Sequence, residues 1–170
     1  MDMKSKLITH KNGDEYWELP NGKMHREVGP AVVYLDGDKE WWINGKLHRK
    51  NGPAVEINNG DKQWWSNGEL HREDGPAAVY LDGGKEWWIN SKLHRENGPA
   101  VELNNGDKQW WSNGELHRED GPAVKQKYFE NRYLNDVEYT KEEFINSREH
   151  KAYTRGVKLK RLLIEKQNDN

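Results

Sequence analysis

Five His-Arg pairs recur at an interval of 23 residues: His25-Arg26, His48-Arg49, His71-Arg72, His94-Arg95 and His117-Arg118. An imidazole beside a guanidinium can ligate a metal, grip a phosphate or move a proton. The spacing argues against the first. Zinc holds His nitrogens at about 2.0 to 2.1 Å, whereas side chains repeated every second strand of a sheet stand about 9.5 to 10 Å apart. A row of arginines could follow a phosphate backbone, yet Glu27, Glu73, Glu96 and Glu119 follow four of the five, and only Arg49 precedes a lysine. Two readings remain: a structural ladder in which His and Arg tie the turns of adjacent units together, and a row of contacts for a ligand or partner.

Tryptophan pairs alternate with these dipeptides, at Trp41-Trp42, Trp64-Trp65, Trp87-Trp88 and Trp110-Trp111. They can serve as sheet-packing residues, or as exposed platforms that stack on bases, sugars or the anchor residues of a partner. The residues that would touch a partner or ligand are therefore His48, Arg49, His71, Arg72, His94 and Arg95, with Trp42, Trp65, Trp88 and Trp111, one indole of each pair. Near the end of the chain Lys158, Lys160 and Arg161 stand in a basic stretch, which is either a solvated helix face or a contact arm for phosphates. No nucleotide-binding glycine loop, His-Glu-x-x-His or Gly-x-Ser-x-Gly occurs, and a repeated surface offers near-copies of every group where catalysis needs one unlike set. The chain is expected to be no enzyme and to need neither cofactor nor metal.

The elements that must position these residues follow from the period. Units begin at Asn21, Asn44, Asn67 and Asn90, and a fifth opens at Asn113 and decays after Val124. Within a unit, Lys-x-Trp-Trp, Asn-Gly and Leu-His-Arg spell strand, tight turn, strand, because Asn-Gly accepts the positive φ angles of a two-residue hairpin turn. A second reversal falls at Asp36-Gly37, Asn59-Gly60, Asp82-Gly83 and Asn105-Gly106, and Gly-Pro interrupts the long strand, since proline cannot donate to a ladder. Periods of this length build arrays whose units stand by stacking on one another. The predicted fold is mainly β, an elongated single-layer antiparallel meander of 23-residue hairpins. A capping strand or hairpin occupies residues 1–20, the array 21–135, and a helical cap with a basic tail 136–170.

Alternation assigns the faces. Val32, Val55, Ala78 and Val101, with Tyr34, Ile57, Tyr80 and Leu103, form a common apolar stripe, whereas Val33 and Leu35 alternate with Glu56 and Asn58 on the other face. The true period is thus 46, and the stretch NNGDKQWWSNGELHREDGPA stands identically at 58–77 and 104–123.

Hydrophobic residues make up 33% of the 170 and charged residues another 33%, too lean for a thick core, so the nine tryptophans are expected to supply a shallow aromatic one. A net charge of -2 names no partner, and the absence of cysteine suits a reducing compartment. No apolar run suggests an export signal or a membrane span, so a soluble, cytoplasmic protein is expected. Thr140 and Glu143 form a capping box opening a helix that Gly156 should end. The segment from Val157 is helical or extended, and Tyr128-Phe129 and Tyr133 echo the Trp strand.

At Trp41-Trp42, Asn44-Gly45 and His48 the chain resembles MORN-type repeats, over residues 7 to 146 or so. It departs from them in reading Leu-His-Arg-x-x-Gly-Pro-Ala where His-Gly-x-Gly is usual. This variant, closed by a helix like that at Thr140 to Phe144, is similar to repeat proteins of phages and large DNA viruses. The resemblance implies a binding or scaffolding surface: an interaction module, plausible as a phage- or mobile-element-encoded inhibitor of a host defence protein such as an anti-CRISPR. It would act in the host cytoplasm, with a host protein as partner and without a membrane. Two alternatives stand beside it, a nucleotide or nucleic-acid binder using the Arg and Trp ladders, and a structural array that pairs through its sheet edges as a homodimer.

Overall fold

The computed structural model describes residues 4–168, with side chains described to residue 158 and at Lys160. Among these residues, 13 of 21 short strands form one antiparallel sheet in which spatial order follows chain order. The hairpin of Lys6–Thr9 and Glu15–Glu18 forms one edge, and Glu130–Leu134 with Val137–Tyr139 forms the other. Each unit lends the sheet two strands, as at Val55–Glu56 and Lys62–Gln63, which is the expected meander. The last strand, at Val137–Tyr139, carries the sheet a few residues past 135.

The Lys-x-Trp-Trp segment is two strands divided at its first tryptophan. Lys62–Gln63 belongs to the large sheet, while Trp65–Ser66 pairs with Glu69–Leu70 in a separate hairpin. Trp64 is the joint: its N–H donates to the Ala77 carbonyl at 2.8 Å, and its carbonyl accepts the His71 N–H at 2.9 Å. Four such hairpins follow one another beside the sheet. Single bonds link neighbours, including Arg49 N–H to the Trp65 carbonyl at 3.3 Å and Gly68 N–H to the Leu47 carbonyl at 2.9 Å. A thin second ladder therefore runs along the main one.

The two reversals in each unit use different chemistry. Asn44 and Gly45 both have positive φ, 52° and 77°, the conformation whose twist matches flanking strands in a two-residue hairpin. At the other turn only Gly37 is left-handed, with φ 101°, and its N–H bonds to Tyr34 while Tyr34 N–H bonds to Asp38, a three-residue loop closed by a glycine bulge.

The core differs from the aromatic one expected. Within the repeated units the buried side chains are small: Ala31, Ala54, Ala77, Ala100 and Ala123 are 0% exposed, and Val32, Val55, Ala78 and Val101 are buried beside them, larger ones being enclosed only toward the ends, at Leu19, Leu134 and Phe144. Every tryptophan is only half-buried. A 23-residue unit encloses a methyl group between its strands but cannot wrap an indole, so the rings wall the core instead of filling it. Of the second apolar column, Tyr34, Ile57 and Tyr80 are half-buried and Leu103 is exposed. Burial, with Glu40 and Glu86 beside the rings, pushes Tyr34 and Tyr80 up to about 12, so both stay protonated.

At the C-terminal edge Thr140 caps α1 (Lys141–Asn146) through the expected box: its hydroxyl accepts the Glu143 N–H, and the Glu143 carboxylate accepts the Thr140 N–H. Phe144 is buried beneath it. The helix stops at Ser147, whose hydroxyl accepts the His150 N–H and so starts α2 (Arg148–Asn168). Gly156 does not end a helix as predicted but lies inside α2, which carries residues 157–166 in helical form as well. One glycine costs a helix about 1 kcal/mol relative to alanine, less than is needed to break a helix of 21 residues. Tyr128 and Phe129, expected to echo the tryptophan strand, are exposed; only Tyr133 does so, its carbonyl accepting the Arg118 N–H as the second tryptophans accept it in earlier units. No described helix is long and apolar enough to cross a membrane.

Candidate functional site

In all five His-Arg pairs the guanidinium lies over an aromatic ring. The guanidinium carbons of Arg26, Arg49, Arg72, Arg95 and Arg118 stand 3.7, 3.8, 4.2, 3.7 and 3.9 Å from the centroids of Trp17, Trp41, Trp64, Trp87 and Trp110. These are the first tryptophans of each pair, together with the lone Trp17, and not the second ones, Trp42, Trp65, Trp88 and Trp111, expected from the sequence. Each guanidinium also donates from Nη1 to a proline carbonyl four residues on, as Arg49 does to Pro53 at 2.9 Å and Arg95 to Pro99 at 3.0 Å. The glycine before that proline makes the fit possible: a Cβ built at Gly52 would lie 3.2 Å from the Arg49 guanidinium carbon, and one at Gly75 3.0 Å from that of Arg72. Arg-x-x-Gly-Pro is thus the visible signature of a clamped arginine, a second reason for the Gly-Pro that first marks a strand interruption.

The histidines face the neighbouring unit. Nδ1 of His25, His48, His71 and His94 accepts the N–H of Asn44, Asn67, Asn90 and Asn113 at 3.1 to 3.2 Å, and His117 accepts that of Asn135 at 3.3 Å. Each bond holds the next turn at its first left-handed residue, and as acceptors His25, His48, His94 and His117 carry the proton of the neutral ring on Nε2; Nδ1 of His71 also lies 2.8 Å from Asn90 Oδ1. The second tryptophans are tied as well: Nε1 of Trp42, Trp65, Trp88 and Trp111 donates at 2.8 to 3.0 Å to Glu40, Gln63, Glu86 and Gln109.

Between successive His-Arg loops the surface sinks into clefts. The first, of about 680 Å³, lies between His48-Arg49 and His71-Arg72, with Trp64 and Trp65 along its wall and Glu73 and Asp74 at its rim. A second, of about 640 Å³, joins Arg72 to His94 and Arg95 across Trp87 and Ile89. The third, of about 590 Å³, repeats the first 46 residues later, from His94-Arg95 to His117-Arg118 with Trp110 and Trp111. Of the candidate contact residues, the six His and Arg side chains, Trp65 and Trp111 come together in these clefts, whereas Trp42 and Trp88 line none of the three. Lys158 and Lys160 are exposed on α2 and line none of the three clefts; the Arg161 side chain lies outside the described residues.

Charge in the clefts follows the 46-residue period. Arg49 and Arg95 pair with Glu56 at 2.7 Å and Glu102 at 3.1 Å, carboxylates that stand on the sheet. Where Val79 or Lys125 replaces that glutamate, Arg72 and Arg118 turn to Asp74 at 2.7 Å and Asp120 at 2.6 Å on their own loops. Its bond to Arg72 holds the Asp74 carboxyl below the usual aspartate range. Glu73 and Glu119 approach Nε2 of His71 and His117 at 3.6 Å. The mouths therefore carry carboxylates, and the guanidiniums beneath them are already partnered.

Sequence reasoning missed Tyr153 of α2, which lines the third cleft. No pattern near Tyr153 relates it to a loop some thirty residues earlier. No protein-family model matches the chain, and no curated protein matches it.

Proposed function

We propose that this protein is a non-enzymatic docking surface for another protein, which it engages along the row of clefts between its His-Arg loops. The observation that carries the reading is repetition with rigidity: three clefts of similar size follow one another on one ladder. Their arginines are clamped between indole and glycine, and their histidines are bonded to the next turn. Preorganised side chains lose little freedom on binding, which favours tight association. Near-copies of one cleft suit a partner that spans several units, whereas chemistry calls on one unlike set of groups. The MORN-like resemblance points the same way, and it alone supports the narrower reading in which the partner is a host defence protein met in the host cytoplasm.

Carboxylates at the cleft mouths weigh against the nucleotide alternative. Glu73, Asp74, Glu96, Glu119 and Asp120 line the mouths and would repel phosphates from arginines that already hold an anion. Oxidative footprinting tests the proposal. With host lysate present, Trp64-Trp65 and Trp110-Trp111 are expected to be shielded together, and an unchanged pattern at both pairs refutes it. Binding of a labelled oligonucleotide that weakens steeply with salt would favour the alternative instead.

A further inference from the structure

The first and third clefts are the same object twice. Their linings differ in two respects: Lys50 in one is Glu96 in the other, and Tyr153 stands only in the third. Yet the rims are not equally open. Side chains of Glu73 and Asp74 are 85% and 83% exposed, whereas Glu119 and Asp120 are 41% and 48% exposed. The cause is α2. Nδ1 of His150 lies 2.7 Å from the Glu119 carbonyl, which makes that nitrogen the donor, and Tyr153, one turn on, reaches the cleft lining. Phe144 backs the His150 ring at 4.9 Å, so the helix is seated and not merely adjacent.

From this duplication we infer that the first cleft, His48 to Asp74, is a receptor for a helix of a partner protein that presents a histidine and an aromatic residue three positions apart, flanked by bases. The chain itself displays the mode of binding at its third cleft, where a helix rests against the rim through His150 and Tyr153 and the cleft stays open beneath it. Identical residues make identical donors, acceptors and walls, and among the described residues nothing plays at Glu73 the part that His150 plays at Glu119. Charge selects the same partner: the rim of the first cleft offers Glu73 and Asp74, while α2 carries Arg148, Lys151, Arg155, Lys158 and Lys160 against Glu149 over residues 148–160. A helix laid in a groove is an established recognition mode, read through anchors at three- and four-residue intervals. In sheet terms the two clefts lie four strand spacings apart, roughly 19 Å, so α2 of the same chain, seated at one, leaves the other free.

This inference rests on the docking reading and adds the partner's chemistry to it. The probe is a peptide of residues 147–160 held helical by a side-chain lactam, titrated into the full-length chain while fluorescence anisotropy of a label on the peptide is followed. Saturable binding is expected, weakened at least about tenfold by the double substitution E73K/D74K in the protein. Replacing the histidine and tyrosine of the peptide by alanine should weaken it comparably. The double-substituted chain keeps its third cleft and its own α2, and an unchanged circular dichroism spectrum confirms that it folds. No binding at about 1 mM peptide, or binding indifferent to E73K/D74K, overturns the inference. If lysate still shields Trp64-Trp65 while the peptide fails, the docking surface stands and its helical occupant falls; if neither occurs, both fall.

Discussion

Units that share the sequence Leu-His-Arg neutralise their arginine in two ways. In the units of Arg49 and Arg95 the carboxylate comes from the sheet, at Glu56 and Glu102, and the loop carries Asn51 or Asn97 in place of an acid. In those of Arg72 and Arg118 the sheet position holds Val79 or Lys125, and the loop supplies Asp74 or Asp120. One requirement, a paired guanidinium on an indole, is met by exchanging the carboxylate between two sites. The exchange matters outside the fold as well as inside. A sheet carboxylate is one-third exposed and serves structure, whereas Asp74 is 83% exposed and free to meet a partner.

Breaking the arginine itself should show the largest difference. Arg49→Ala removes the ring contact, the bond to Pro53 and the partner of a half-buried Glu56, and should destabilise by about 2 to 3 kcal/mol. Arg72→Ala strands only a solvated aspartate and should cost less, a ranking that chemical denaturation of the two variants checks. Next in size, Glu56→Val should lower stability by about 1 kcal/mol, and adding Asn51→Asp should restore most of it by rebuilding the loop scheme in a sheet-scheme unit. Failure of the second change to rescue the first would show that the two schemes are not interchangeable.

A smaller effect tests the opposite edge of the array. Asp14, Asp38 and Asp61 accept the N–H of Leu35, Asn58 and Leu81 in the following unit at 2.7 to 2.9 Å, but the equivalent position in the third unit is Gly84. Gly84→Asp should stabilise by about 0.5 kcal/mol, read as a higher denaturation midpoint, provided the Asp82 side chain and the Tyr80 ring, 3.0 and 3.2 Å from the new Cβ, both yield to it. Smallest of all is a pH effect. Because bonding to Arg72 lowers the folded-state pKa of Asp74, its contribution is present above the unfolded value of about 3.9 and lost as pH falls through the folded one. Asp74→Asn should therefore separate from the parent chain near neutrality and converge with it in acid, followed by thermal melts across that range.

Period, turns and meander were legible because they rest on local chemistry repeated from unit to unit. Asn-Gly at 44–45, 67–68 and 113–114 supplies both left-handed residues of the hairpin turn, a part Asn90-Ser91 also plays, and the capping box of α1 is complete within Thr140 and Glu143. Less legible was the split of each tryptophan strand at Trp41, Trp64, Trp87 and Trp110, since nothing local distinguishes a strand from one that changes ladder midway. The aromatic core failed as an expectation for a related reason. Tryptophan content records how much apolar surface is present, not whether thin units can enclose it, and the alanines at 0% exposure answered that. Within the site, the His-Arg ladder was visible as a pattern, but the choice of Trp64 over Trp65 beneath Arg72 was not.

By itself the amino-acid order determined the 23-residue hairpin and the 46-residue block, because each depends on φ preferences and alternation within a few positions. Only the tertiary structure decided that the His Nδ1 atoms bridge successive units, and that α2 sits on the third cleft and leaves its copy at Glu73 and Asp74 exposed. Those outcomes join residues about twenty to thirty positions apart, and identical letters fix identical chemistry without fixing what lies against it.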